Sequence, residues 1–115
     1  MDRLYQLPKY QVSWILKVEH YILTNLDNKA LNITSLAKNF GLSERQFYRR
    51  IKKITRMTPN NLIRLLRMEM ARKYLEKGEY ATVSEVSHAV GYCRSDYFSE
   101  VFYNSFGKRP VEYKR

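Results

Sequence analysis

Arg45, Tyr48, Arg49, Lys52 and Arg56 recur at i, i+3, i+4, i+7 and i+11. At 3.6 residues per turn this spacing puts all five on one stripe of a helix, with Phe47, Ile51 and Ile54 on the opposite side. A guanidinium is a rigid fork that donates to O6 and N7 of a guanine together, so Arg45 and Arg49 have the chemistry of base readers. Lys52, Lys53 and Arg56, farther along, suit phosphate oxygens. Gln46 can bond a base or a phosphate, although a backbone cap is its simpler role. Nothing comparable supports catalysis or metal binding. His20 and His88 are isolated, Cys93 is the single cysteine, and no Ser, His and Asp stand at relay spacing. The chain reads as a non-enzyme, with no cofactor and no small-molecule ligand of its own.

The charge supports an acidic partner. There are 21 Lys and Arg against 11 Asp and Glu, a net of +10 over 115 residues. Its distribution matters more than its size. Residues 43–73 hold ten cations against Glu44 and Glu69, whereas residues 82–106 hold only Arg94 against Glu85, Asp96 and Glu100. Hydrophobic content of 44%, with 14% aromatics, argues against disorder. No apolar run approaches the roughly 20 residues that span a bilayer, and no signal peptide is evident. The expected location is the cytoplasm.

The elements that would carry these residues are helical. Residues 1–12, with Pro8, show no sustained period and read as a lead-in or linker. From Ser13, the residues Trp14, Ile15, Val18, Ile22 and Leu26 follow helical spacing. A short helix follows, capped by Asn32, with Ile33, Leu36, Ala37 and Phe40 inward and Gly41 as the turn. "SERQ" at 43–46 is a capping box opening the cationic helix. "TP" at 58–59 opens a long helix that ends at Gly78. Its apolar residues fall on two sides, with Leu62, Leu65, Met68, Ala71 and Leu75 on one and Leu66, Met70 and Tyr74 on the other. That pattern predicts a helix packed on two sides. "TVSE" at 82–85 reads as another capping box. Tyr21, Tyr74, Tyr92 and Tyr113 fall on apolar faces, so core packing accounts for them better than base stacking.

The chain also repeats itself. "ITSLAKNFGL" (33–42) matches "VSEVSHAVGY" (83–92) at an offset of 50, and "FYRRIKKITRMTP" (47–59) matches "FSEVFYNSFGKRP" (98–110) at an offset of 51. Each half reads as short helix, glycine turn, longer helix and proline. A small residue, Ala37 or Ser87, stands four before the glycine and lets two helices cross closely. That is the content of a helix-turn-helix, twice over. The expected fold is therefore all-α, about seven helices in two helix-turn-helix subdomains (13–57 and 79–115) joined by a central linker helix (58–78).

These residues resemble the DNA-binding domain of the AraC/XylS family of bacterial transcription regulators over roughly 14–114. The resemblance is carried by "LAKNFGLSERQFYRRIKKITRMTP", "RMEMARKYL", "VSEVSHAVGY", "YFSEVF" and "FGKRPVEY". It implies sequence-specific binding of double-stranded DNA in transcription regulation, chiefly activation. Each second helix would enter the major groove, with sites about 34 Å apart, one helical turn. It implies base contacts at Arg45, Tyr48 and Arg49. The alternative, carried by the acidic second unit, is an interaction module that contacts RNA polymerase or a regulatory partner. An effector-binding domain or sensor kinase can precede such a module, making it the C-terminal part of a larger regulator.

Shifted by 51, the cationic stripe becomes Asp96, Ser99, Glu100, Tyr103 and Gly107. The family usually has Arg or Lys at the position of Glu100, and Ser or Thr where Arg109 stands, so this half departs from the pattern. Three readings stay open for Arg94, Ser95, Asp96, Ser99 and Glu100. The helix enters the groove and reads bases through its acids and serine, it contacts DNA loosely, or its acidic face meets a protein. The second reading is favoured, with the first helix (about 43–55) dominant and the second (about 94–106) weaker.

Overall fold

The computed structural model describes residues 7–114, and residues 1–6 of the predicted lead-in lie outside that range. Seven helices and no strand occur among the described residues: α1 (Lys9–Thr24), α2 (Ile33–Asn39), α3 (Glu44–Thr55), α4 (Pro59–Lys77), α5 (Val83–Ala89), α6 (Ser95–Phe106) and α7 (Pro110–Tyr113). The chain divides into two compact units. Among the described residues one comprises 7–25 and 30–63, the other 26–29 and 64–114, so the division falls inside α4.

In the first unit α1 begins at Lys9, four residues ahead of the start predicted at Ser13. Pro8 explains the early start. It is the N-cap, extended at φ −57° and ψ 147°, where no N–H is called on by the helix, and its carbonyl accepts from Gln11 and Val12 at 3.0 and 3.2 Å. Ile15, Val18 and Ile22 of α1, Leu36 and Ala37 of α2, and Phe47, Ile51 and Ile54 of α3 are buried. Trp14 stands 5.9 Å from Phe40 and 5.7 Å from Phe47, ring centre to ring centre. Two capping boxes fix the helix starts: Asn32 with Ser35, and Ser43 with Gln46.

In the second unit Met68, Ala71 and Leu75 of α4 pack with Val86, Val90, Phe98, Val101 and Phe102. Phe106 and Tyr113 close over Phe102 at 4.7 and 5.6 Å. Two sequence expectations change here. Leu65, expected with Leu62 and Met68 on one packed side of α4, is 43% exposed. The predicted box at Thr82 forms by half. The Thr82 hydroxyl accepts from the Glu85 N–H at 3.0 Å but donates to the Glu85 carboxylate at 3.1 Å. That carboxylate is thereby drawn to the hydroxyl and not to the Thr82 backbone.

Both units make the same turn. The Leu42 N–H donates to the Ala37 carbonyl at 2.9 Å, and Tyr92 N–H to the Ser87 carbonyl at 3.0 Å. Gly41 and Gly91 have φ of +69° and +93°, which only glycine adopts freely. At Gly91 the need is steric too, since a Cβ would collide with the Leu26 carbonyl oxygen.

Candidate nucleic-acid interface

The cationic helix α3 is oriented by its apolar side. Phe47 and Ile51 are wholly buried and Ile54 nearly so. Side chains on the other side are therefore directed to solvent: Arg45, Tyr48 (42% exposed), Arg49, Lys52, Lys53 and Arg56 are all exposed. The helix start is rigid. Ser43 Oγ accepts from the Gln46 N–H at 3.1 Å, and Gln46 Oε1 accepts from the Ser43 N–H at 3.0 Å. Gln46 thus has its carbonyl oxygen engaged in the cap, the simpler of its two expected roles.

Among the described basic residues, two sets differ in what they touch. Some are tied to the fold. The Arg50 guanidinium lies over the Trp14 ring at 4.9 Å. Arg67 donates to the Asn28 carbonyl at 3.0 Å and lies over Tyr92 at 5.7 Å, and burial lowers its pKa. Arg72 pairs with Glu69 at 2.7 Å and lies over Phe106 at 5.2 Å. The stripe on α3 forms the other group, with its heads in solvent.

Arg56 ends this helix in the left-handed conformation, φ +65°, the one non-glycine residue with positive φ among the described residues. Its N–H donates to the Lys52 carbonyl at 2.9 Å. The repeat-related Gly107 does the same in α6, with φ +71° and a 2.7 Å bond to Tyr103. A side chain costs about 1–2 kcal/mol in that conformation. The first unit therefore holds a cation where the second uses the unstrained residue.

Helix α6 repeats the scaffold without the charge. Phe98, Val101 and Phe102 turn inward, while Asp96, Glu100 and Tyr103 are exposed and Ser95 and Ser99 half-buried. Arg94, at the N-cap, makes no side-chain cap. Its guanidinium instead clamps Asp96 through two bonds, Nε to Oδ1 at 3.1 Å and Nη2 to Oδ2 at 2.7 Å. Asp96 Oδ1 also accepts from the Tyr97 N–H at 2.8 Å. The bonds from Arg94, then that from Tyr97, hold the Asp96 carboxyl below its usual range. The Arg94 pKa is raised by the same contact. The single cation expected on this helix is thus engaged by its own neighbour. The signal in sequence is the opposite pair two residues apart at a helix start.

Arg109 precedes α7, where the family resemblance implies Ser or Thr as a cap. Arg109 makes no side-chain cap, and the other half of a capping box remains, with the Glu112 carboxylate accepting from the Arg109 N–H at 2.7 Å. Among the described residues no group of His, Cys, Asp and Glu could hold a metal ion, and no helix is long and apolar enough to cross a membrane.

A family model described as a helix-turn-helix domain matches residues 36–115. The HTH-type transcriptional activator RhaS of Pectobacterium carotovorum is 33% identical over 88 residues, 76% of this chain. The chain spans 31% of that activator, and less than a third of each of the first curated relatives it matches. The C-terminal domain of AraT, a response regulator from Geobacillus stearothermophilus, superposes with a TM-score of 0.80 at 28% identity, covering 88% of this chain and 83% of that one. The DNA-binding domain of AdpA, solved in complex with a target DNA, superposes with a TM-score of 0.77 at 26% identity, covering 85% and 86%.

Proposed function

The chain belongs to the AraC-type helix-turn-helix family, and on that premise we propose that it binds duplex DNA sequence-specifically to regulate bacterial transcription, chiefly as an activator, with α3 as the dominant reader. The observation that carries this reading is the solvent-facing stripe Arg45, Tyr48, Arg49, Lys52 and Arg56 on a helix capped and buried along its other side. Arg45 and Arg49 lie in the first two turns, where a recognition helix meets base edges, and each presents a fork to a guanine. Tyr48 lies between them. Lys52, Lys53 and Arg56 follow toward the end of the helix and neutralise phosphates. In α6 the clamp on Arg94 and the exposed Glu100 leave no cation to pull the helix onto a polyanion, so its contribution to affinity is smaller.

A second reading rests on one observation in the second unit. Tyr97, Tyr103 and Val111 are large and exposed around Asp96 and Glu100, a surface better suited to a protein such as RNA polymerase than to phosphates. Footprinting separates the two. Protection of two successive turns on one DNA face means that both helices engage. Protection of one turn means that α3 reads and α6 serves a protein. No sequence-specific protection at physiological salt refutes DNA reading altogether.

A further inference from the structure

Resting on that reading, we infer that Glu100 is a specificity residue that selects cytosine, so that the two parts of the operator are not repeats of one sequence. α3 and α6 are both 12-residue helices, each ending in a left-handed residue. Arg49 is the sixth residue of one and Glu100 the sixth of the other, on the same outward stripe. Each is preceded one turn earlier by a second stripe residue, Arg45 or Asp96. In α6 that first position is held and its charge offset, because Arg94 and the Tyr97 N–H bond both Asp96 oxygens. Among the described residues no side chain clamps Glu100 in this way. The acceptor left to meet a base edge is therefore the Glu100 carboxylate.

A carboxylate only accepts. In the major groove cytosine presents the N4 amino donor, whereas guanine presents N7 and O6 and thymine O4, all acceptors that repel it. Adenine offers a donor, N6, beside the N7 acceptor, which one oxygen of a carboxylate would face unfavourably. Cytosine is the base that fits. Where Arg49 takes a guanine, the equivalent rung of α6 takes a cytosine. The same negative charge lowers affinity for every duplex, which is why weak binding and base choice occur together at this helix.

Binding-site selection from random duplex DNA, with the whole chain and its Glu100→Gln and Glu100→Arg variants, tests this. Glu100 is exposed, so neither change disturbs the core, and circular dichroism verifies it. The wild type should enrich cytosine by about fivefold or more at one position that Arg49→Ala does not affect. Glu100→Gln should move that position to adenine, since an amide bonds N6 and N7 together, and Glu100→Arg should move it to guanine. A general gain in affinity from lost repulsion would change no base preference, so the switch itself is the readout. If positions dependent on Arg49 are selected but no base changes with either variant, the inference fails and the reading of α3 stands. If no position is selected by the wild type, both fail.

Discussion

Replacing Arg56 by glycine should stabilise the protein while weakening its hold on DNA, two effects of opposite sign from one side chain. Arg56 sits at φ +65°, and its repeat partner Gly107 at +71°, where an added Cβ would meet no atom within 4 Å. At Gly107 the left-handed backbone, not crowding, is what would oppose a side chain, and Arg56 carries that same backbone cost. Relieving it is worth about 1–2 kcal/mol. Against this, glycine restores about 0.5–1 kcal/mol of unfolded-state freedom, and removing a cation from a helix C-terminus forfeits about 0.3 kcal/mol at an exposed site. The balance is a gain of about 0.5 kcal/mol, a Tm rise of about 2–4 °C. Arg56→Ala loses the same charge and keeps the strain, so it should fall below wild type. Trp14 is the single tryptophan and packs on Phe40, Phe47 and Arg50, so its fluorescence in urea follows the first unit directly. In parallel, the slope of log K against log salt should lose about 0.9, one phosphate contact, in both variants. A glycine variant no more stable than the alanine one would refute the strain argument. An unchanged salt slope would remove Arg56 from the interface.

Three further outcomes follow from the fold. Ser87 is wholly buried and its hydroxyl has no partner among the described residues, while the repeat has Ala37 in its place; Ser87→Ala should therefore stabilise by about 1 kcal/mol in urea unfolding followed by circular dichroism, and destabilisation would mean that the hydroxyl is satisfied. Gly91→Ala should cost about 3 kcal/mol or more, because left-handed strain adds to collision with the Leu26 carbonyl. Gly41→Ala, at φ +69° with open space around it, should cost only about 1–2 kcal/mol, and equal losses at the two glycines would contradict the close approach seen at Gly91.

Much of the fold was legible because periodicity and caps agreed. Phe47, Ile51 and Ile54 orient α3, and Ser43 with Gln46 fixes its start, in sequence as in the structure. Gly41 and Gly91 mark the turns for a steric reason that residue type alone conveys. Other features depend on choices between near-equal partners. Glu85 takes the Thr82 hydroxyl in place of its N–H, and Leu65 stays exposed although its spacing matches Leu62 and Met68. α1 starts at Lys9 because the Pro8 carbonyl takes the first helical bonds, although Lys9, Tyr10 and Gln11 show no period of their own. At the candidate interface, the types and spacing of Arg45, Arg49 and Lys52 suffice to place them on one face. The clamp of Arg94 on Asp96 needs two rotamers that sequence does not specify. The left-handed turn at Arg56 is foreshadowed only by Gly107, fifty-one residues away in the repeat.

The central claim is that α3 reads base sequence, and selection from random duplex DNA by the wild type and Arg49→Ala tests it most directly. The variant should lose about 1–3 kcal/mol on the selected site and relax a guanine preference at one position, leaving the others intact. An equal loss on every sequence, with no position relaxed, would make Arg49 a phosphate contact and contradict the account.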